Sequence, residues 1–169
     1  MVDKHVQNVI NILKKEHDFY KDLLELSKSK KTIIIEGKVA ELDKIVKLEQ
    51  NMIFDIGQLE KAREQEINQI CTLLNMKREE ATISELTKRL DNKYTKEMSK
   101  LQGLLTDTLR ELKDVNMLNG KLIQQSLDYI DYSINIITSA NVATGSLYDD
   151  ITDNKSNTAN KKRIFDTKV

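Results

Sequence analysis

Proline is absent from the 169 residues and glycine occurs five times. The chain therefore holds few of the residues that interrupt a helix or shape a tight turn, and long uninterrupted helices follow. Net charge is absent as well, with 27 basic residues against 27 acidic ones, so no global field draws nucleic acid or an anionic membrane. The local basic runs Lys28-Ser29-Lys30-Lys31 and Lys161-Lys162-Arg163 read as a solvated face and a tail. A single cysteine excludes a disulfide within the chain. Cys71 sits among Ile67, Ile70 and Leu74, where a small hydrophobe fits and a cytosolic compartment is expected. No apolar stretch approaches the roughly 20 residues of a membrane span, and the first residues lack the apolar block of a signal peptide.

The chemistry of catalysis is also missing. The two histidines, His5 and His17, would lie about 18 Å apart along one helix and could not share a metal ion. Glu16 and His17 are adjacent, not spaced as in the Glu-x-x-His pairs of a di-iron bundle. No glycine-rich phosphate loop, nucleophile elbow or paired-cysteine motif occurs. The expectation is a protein with no enzymatic activity and no cofactor.

What the chain does contain is apolar periodicity. Hydrophobic residues make up 39% and charged ones 32%, a balance suited to exposed helices around a thin seam. Val6, Ile10, Leu13, His17, Tyr20 and Leu24 share one stripe of a first helix, about 3–36, opened by the cap Asp3. Thr32-Ile33-Ile34-Ile35 has the β-branched look of a strand, but four residues with no partner strand cannot form a sheet. The helix is therefore extended to Glu36, with Gly37 as a left-handed stop. A second helix, about 38–75, carries Leu42, Ile45, Met52, Ile56, Leu59, Ile67, Ile70 and Leu74. Thr82-Ile83-Ser84-Glu85 forms a capping box that starts a short helix, about 83–90. The longest helix, about 93–139, is capped by Asp91 or Asn92. Its stripe runs Tyr94, Met98, Leu101, Leu105, Thr108, Leu112, Val115, Asn119, Leu122, Ser126 and Tyr129.

The expected fold is all-α: an elongated antiparallel bundle or coiled coil of three long helices plus one short one, over residues 1–141. A disordered tail, 142–169, is expected after it, because its apolar residues are too sparse to bury a face. The three long helices measure roughly 50, 55 and 70 Å, so two form a hairpin and the third outreaches it. The end of that helix is apolar on two flanks. Leu127, Ile130, Ile134 and Ile137 line one, and Leu122, Tyr129 and Ile136 the other. Such a helix wants two neighbours, and the uncovered side is a receptor for a partner helix.

Asn116 and Asn119 interrupt the apolar row and permit two readings. In one they are seam residues that fix register at some expense of stability, with Gly120 making a close helix contact. In the other they hydrogen-bond the backbone of a partner. The surrounding stretch, Leu112-Lys113-Asp114-Val115-Asn116-Met117-Leu118-Asn119-Gly120-Lys121-Leu122-Ile123, resembles the FlgN family of flagellar export chaperones, whose last helix carries paired asparagines between leucines. Leu59-Glu60 followed by Arg63, and Leu147-Tyr148, resemble the family too. Asp149-Asp150-Ile151-Thr152 replaces the glycines that often follow the family's tyrosine. The resemblance implies a cytoplasmic chaperone that binds the C-terminal helical region of hook-associated proteins at the hook–filament junction. It also implies that the chaperone keeps them unassembled and brings them to the type III export gate. The expected partner-binding residues are Asn116, Asn119, Leu122, Ile123, Leu127, Ile130, Ile134, Ile137 and Tyr148. No nucleic acid and no membrane insertion are expected, and a homodimer stays open. The alternatives are a structural coiled-coil subunit or a helical adaptor outside the flagellum.

Overall fold

A computed structural model describes residues 2–90 and 92–148, leaving aside the side chains of residues 83, 84, 87 and 140–148. Helix α1 spans Val2–Ile35 and α2 spans Val39–Leu73. After a single 3₁₀ turn, Arg78–Glu80, come α3, Ile83–Arg89, and α4, Asn92–Tyr148. No strand occurs among the described residues. The β-branched run 32–35 is the last turn of α1, since an intrahelical bond is available to every one of its amides and no strand is.

Both hairpin helices end in the same way. Gly37 takes φ +66, its N–H bonds to the Ile34 carbonyl, and the N–H of Lys38 reaches back to Ile33. At the end of α2, Asn75 takes φ 52, its N–H bonds to Thr72, and Met76 N–H reaches Cys71. Each is a left-handed residue closing a helix by paired backward bonds, using the residue types that tolerate positive φ most cheaply. Thr82 caps α3, its hydroxyl accepting from Glu85 N–H at 3.2 Å.

The side-chain pairs establish direction. His5 and Asn8 of α1 reach Glu66 of α2, Glu16 reaches Arg63, and Ser27 and Lys30 reach Glu49. Rising numbers on one helix meet falling numbers on the other, so α1 and α2 are antiparallel. Lys14 pairs with Glu97 and Lys28 with Glu111, so α4 runs parallel to α1 and antiparallel to α2. Between the three lies an apolar seam. Val6, Val9, Ile10 and Leu13 of α1 pack with Ile70 and Cys71 of α2, Leu86 of α3, and Tyr94, Met98, Leu101 and Leu105 of α4. A second cluster joins Leu23, Leu24, Ile56 and Leu112. The spacing of these residues is the helical stripe of the sequence, buried because packing the stripes of the three helices together removes their apolar side chains from water.

Contacts divide the chain after Leu127. The first unit holds the hairpin, α3 and α4 up to that point. The second begins at Asp128, and its described part is the helical stretch up to Tyr148. Helix α4 thus runs nine residues beyond the expected end at Ser139. Residues 140–148 contain no proline, and extending an existing helix gains one hydrogen bond per residue fixed, without a new nucleation step. The expected tail therefore begins inside α4, and its portion from residue 149 onward lies outside the described residues.

Candidate functional site

Along α4 the apolar row passes from buried to open. Leu105, Leu112 and Asn119 are buried, Val115 and Leu122 are half-buried, and Tyr129, on the same row, is 71% exposed. Asn119 marks the change. It is only 2% exposed, and its Nδ2 donates to the carbonyl of Ser27 at 2.8 Å. Ser27 is itself fully buried and donates through its hydroxyl to Glu49 Oε1 at 3.0 Å. Lys30 Nζ bonds both Glu49 oxygens at 2.7 Å. A polar layer therefore crosses the three helices at one level, and a one-turn slip of α4 would break its bond to α1. The layer is incomplete, because Asn119 Oδ1 is buried and meets no donor among the described residues.

Asn119 thus occupies the seam, with its amide bonded to α1. Asn116, one turn earlier, is exposed. The remaining expected contact residues separate in the same way. Leu122 is half-buried, while Ile123 (38%) and Leu127 (50%) in the first unit are open. In the second unit Ile130, Ile134 and Ile137 are 51%, 50% and 61% exposed, and Tyr132 and Ile136 flank them in the open. Tyr148 is the last residue of α4 rather than the start of a tail; its side chain lies outside the described residues. Met117 and Leu118, also exposed, belong to the same helix segment and did not stand out by spacing.

Two polar features of the hairpin escaped the sequence pattern. Glu16 is buried on the apolar face of α1 and receives Arg63 Nη1. Burial raises its pKa above the ordinary carboxylate value, and the adjacent guanidinium opposes that shift without cancelling it. Glu66 moves the other way, held low first by its hydrogen bond with His5, against a smaller burial effect. The signal for Glu16 was there to be read: an acid on the apolar stripe, one turn past Leu13, with one arginine in the facing helix. Among the described residues no three histidine, cysteine, aspartate or glutamate side chains converge as a metal site, and no helix is long and apolar enough to cross a membrane.

What the described residues of α4 offer is large apolar side chains left exposed, Met117, Leu118, Ile123 and Leu127 in the first unit and Ile130, Ile134, Ile136 and Ile137 in the second. The family described as FlgN protein matches the chain over residues 1–154. A protein of Bacillus subtilis (strain 168), described as the uncharacterized protein YvyG, is 30% identical over 129 residues, which are 76% of this chain and 78% of that protein. No solved structure matches.

Proposed function

The chain belongs to the FlgN family of flagellar export chaperones, and from that membership we propose that it holds hook-associated proteins by their C-terminal helical region in the cytoplasm. It keeps them from assembling early and delivers them to the type III export gate. The observation that carries this reading is the exposed row Leu127, Ile130, Ile134 and Ile137 on α4. Its 3-4-3 spacing is that of a seam, and a row of large apolar side chains left in water marks a binding surface. Within the first unit, Ile123, the exposed Asn116 and half-buried Leu122 are assigned to client contact as well. Asn119 is excluded from the surface because its amide already serves the polar layer. Tyr148 is assigned to the gate, since a large aromatic at the far end of the helix makes an anchor separable from the client row.

The test is titration of the purified chain with the C-terminal helical region of a hook-associated protein from the same organism. Each isoleucine of the row is about half exposed, so client contact removes about half of its surface from water, roughly 0.7 to 1.5 kcal/mol per side chain. Ile130→Asp with Ile134→Asp also places two carboxylates in an apolar contact, which costs about 1 kcal/mol or more each. The combined loss is about 3 to 5 kcal/mol, more than a hundredfold in Kd. Full-strength binding by a helical double variant would rule this surface out, and absence of binding by the parent would rule out the client.

A further inference from the structure

Past Lys121 the charge pattern of α4 changes. From Leu122 to Tyr148 the helix contains no lysine or arginine, and its only charged residues are Asp128 and Asp131. Upstream, α4 carries both signs, as in the pair Arg110–Asp107. The segment that holds Ile130, Ile134 and Ile137 is therefore acidic, in a chain whose charges cancel as a whole.

The two aspartates stand in different places. Ile130, Ile134 and Ile137, each half exposed or more, form a line within the second unit. At about 100° per residue, Asp131 lies about 60° from Ile134, on the rim of that line, while Asp128 falls on the far side of the helix. Thr138 shares the rim with Asp131, and Ser133 borders the line on its other side. Both hydroxyls donate to carbonyls of their own helix, Thr138 to Ile134 and Ser133 to Tyr129, at 2.9 Å. Asp131 is exposed, and no basic residue lies within four positions of it, so its own helix supplies no counter-charge. Of these three rim groups, it alone is left for a partner to answer.

Charges on the rim of an apolar helix line select the partner and its orientation. A second copy of this chain has no answer to Asp131. Laid antiparallel so that Ile130 of each copy meets Ile134 of the other, two copies bring both Asp131 carboxylates to one level of one rim. Laid parallel, each Asp131 faces the serine rim of the other. Only a foreign helix with a cation on its rim satisfies the carboxylate while covering the isoleucines.

We propose that the occupant of this part of α4 is an amphipathic helix whose apolar stripe is bordered by lysine or arginine, and that Asp131 selects it by pairing with one of those cations. The inference rests on reading the isoleucine line as the client surface, and it adds the chemical class of the helix that the surface accepts.

The test uses the full chain and two synthetic helical peptides of about four heptads with the same leucine and isoleucine stripe. One carries lysine at every rim position and the other glutamate, and the like charges keep each peptide from pairing with itself. At low ionic strength, where the pairing is least screened, the lysine-rimmed peptide should bind about fivefold tighter. Asp131→Lys should reverse that preference while leaving the helix intact by circular dichroism, since the site is exposed and lysine is a good helix former. Equal binding of the two peptides would overturn the proposal. So would a preference that survives Asp131→Lys, binding of neither peptide, or self-association of the chain that Asp131→Lys leaves unchanged and that blocks the peptides. The C-terminal helical region of a hook-associated protein separates this inference from the chaperone reading. If that region binds parent and Asp131→Lys equally, the charge selection fails and the chaperone reading stands. If it does not bind the parent while the peptides behave as expected, the client assignment fails and the charge selection stands.

Discussion

Asn119→Leu is expected to raise the stability of the first unit although it deletes a buried hydrogen bond. The bond from Nδ2 to the Ser27 carbonyl is worth about 1 kcal/mol net, because water would serve both groups in the unfolded chain. Against it stands Asn119 Oδ1, buried without a donor, whose lost hydration costs about 1 to 3 kcal/mol. Leucine removes that cost and adds apolar burial of about 2 kcal/mol, of which imperfect fit in a seam shaped for asparagine takes back about 1. The balance is a gain of about 1 to 3 kcal/mol. Urea unfolding followed by far-ultraviolet circular dichroism would register a 2 kcal/mol gain as a midpoint shift of about 1 M. The companion Asn119→Ala loses the bond and the packing together and should be less stable than the parent. Asn119→Leu falling below the parent by about 1 kcal/mol or more would refute the reasoning, because Oδ1 would then have to be satisfied. The gain would come with weaker specification of the level at which α4 meets α1.

Two further outcomes are expected. Tyr148→Ala should leave client affinity unchanged and reduce capture of the client-loaded chaperone by the cytoplasmic domain of the export-gate component, and equal capture by variant and parent would defeat that assignment. Glu16, whose folded pKa is raised by burial, binds its proton more readily in the folded chain. Its contribution therefore favours folding increasingly as pH falls through the interval above its ordinary value of 4.5, levels off below it, and is absent from Glu16→Gln. The difference in urea midpoint between parent and Glu16→Gln should widen in the parent's favour as pH is lowered across that interval. Glu66, held low by His5, works in the opposite sense and is common to both proteins.

The helices were legible because their signal is repetitive. Each stripe repeats over many turns, and stop signals such as Gly37 have few conformations to choose from. The end of α4 was less legible, since composition after Ser139 measures how little can be buried, while helix extension depends on the turn already formed. The expected contact residues divided once burial was known: Asn119 turned inward while Asn116, one turn away, stayed open. Periodicity could not separate them, because both fall within about 60° of the same row. The Ser27–Glu49–Lys30 layer was invisible for a different reason. Its members lie on two helices, and their pairing depends on the antiparallel register, which no local pattern contains.

The solitary sulfhydryl gives this architecture a built-in chemical clock. Cys71 is 5% exposed in the cluster it shares with Ile70, Tyr94 and Met98, and no other thiol in the chain competes for a reagent. A thiol-specific label added to the native protein reacts at a rate set by how often that end of the seam opens, multiplied by the rate for a free thiol. Departure of α4 from the hairpin, which leaves helix content almost unchanged and so escapes circular dichroism, becomes a labelling half-life that a mass spectrometer can read.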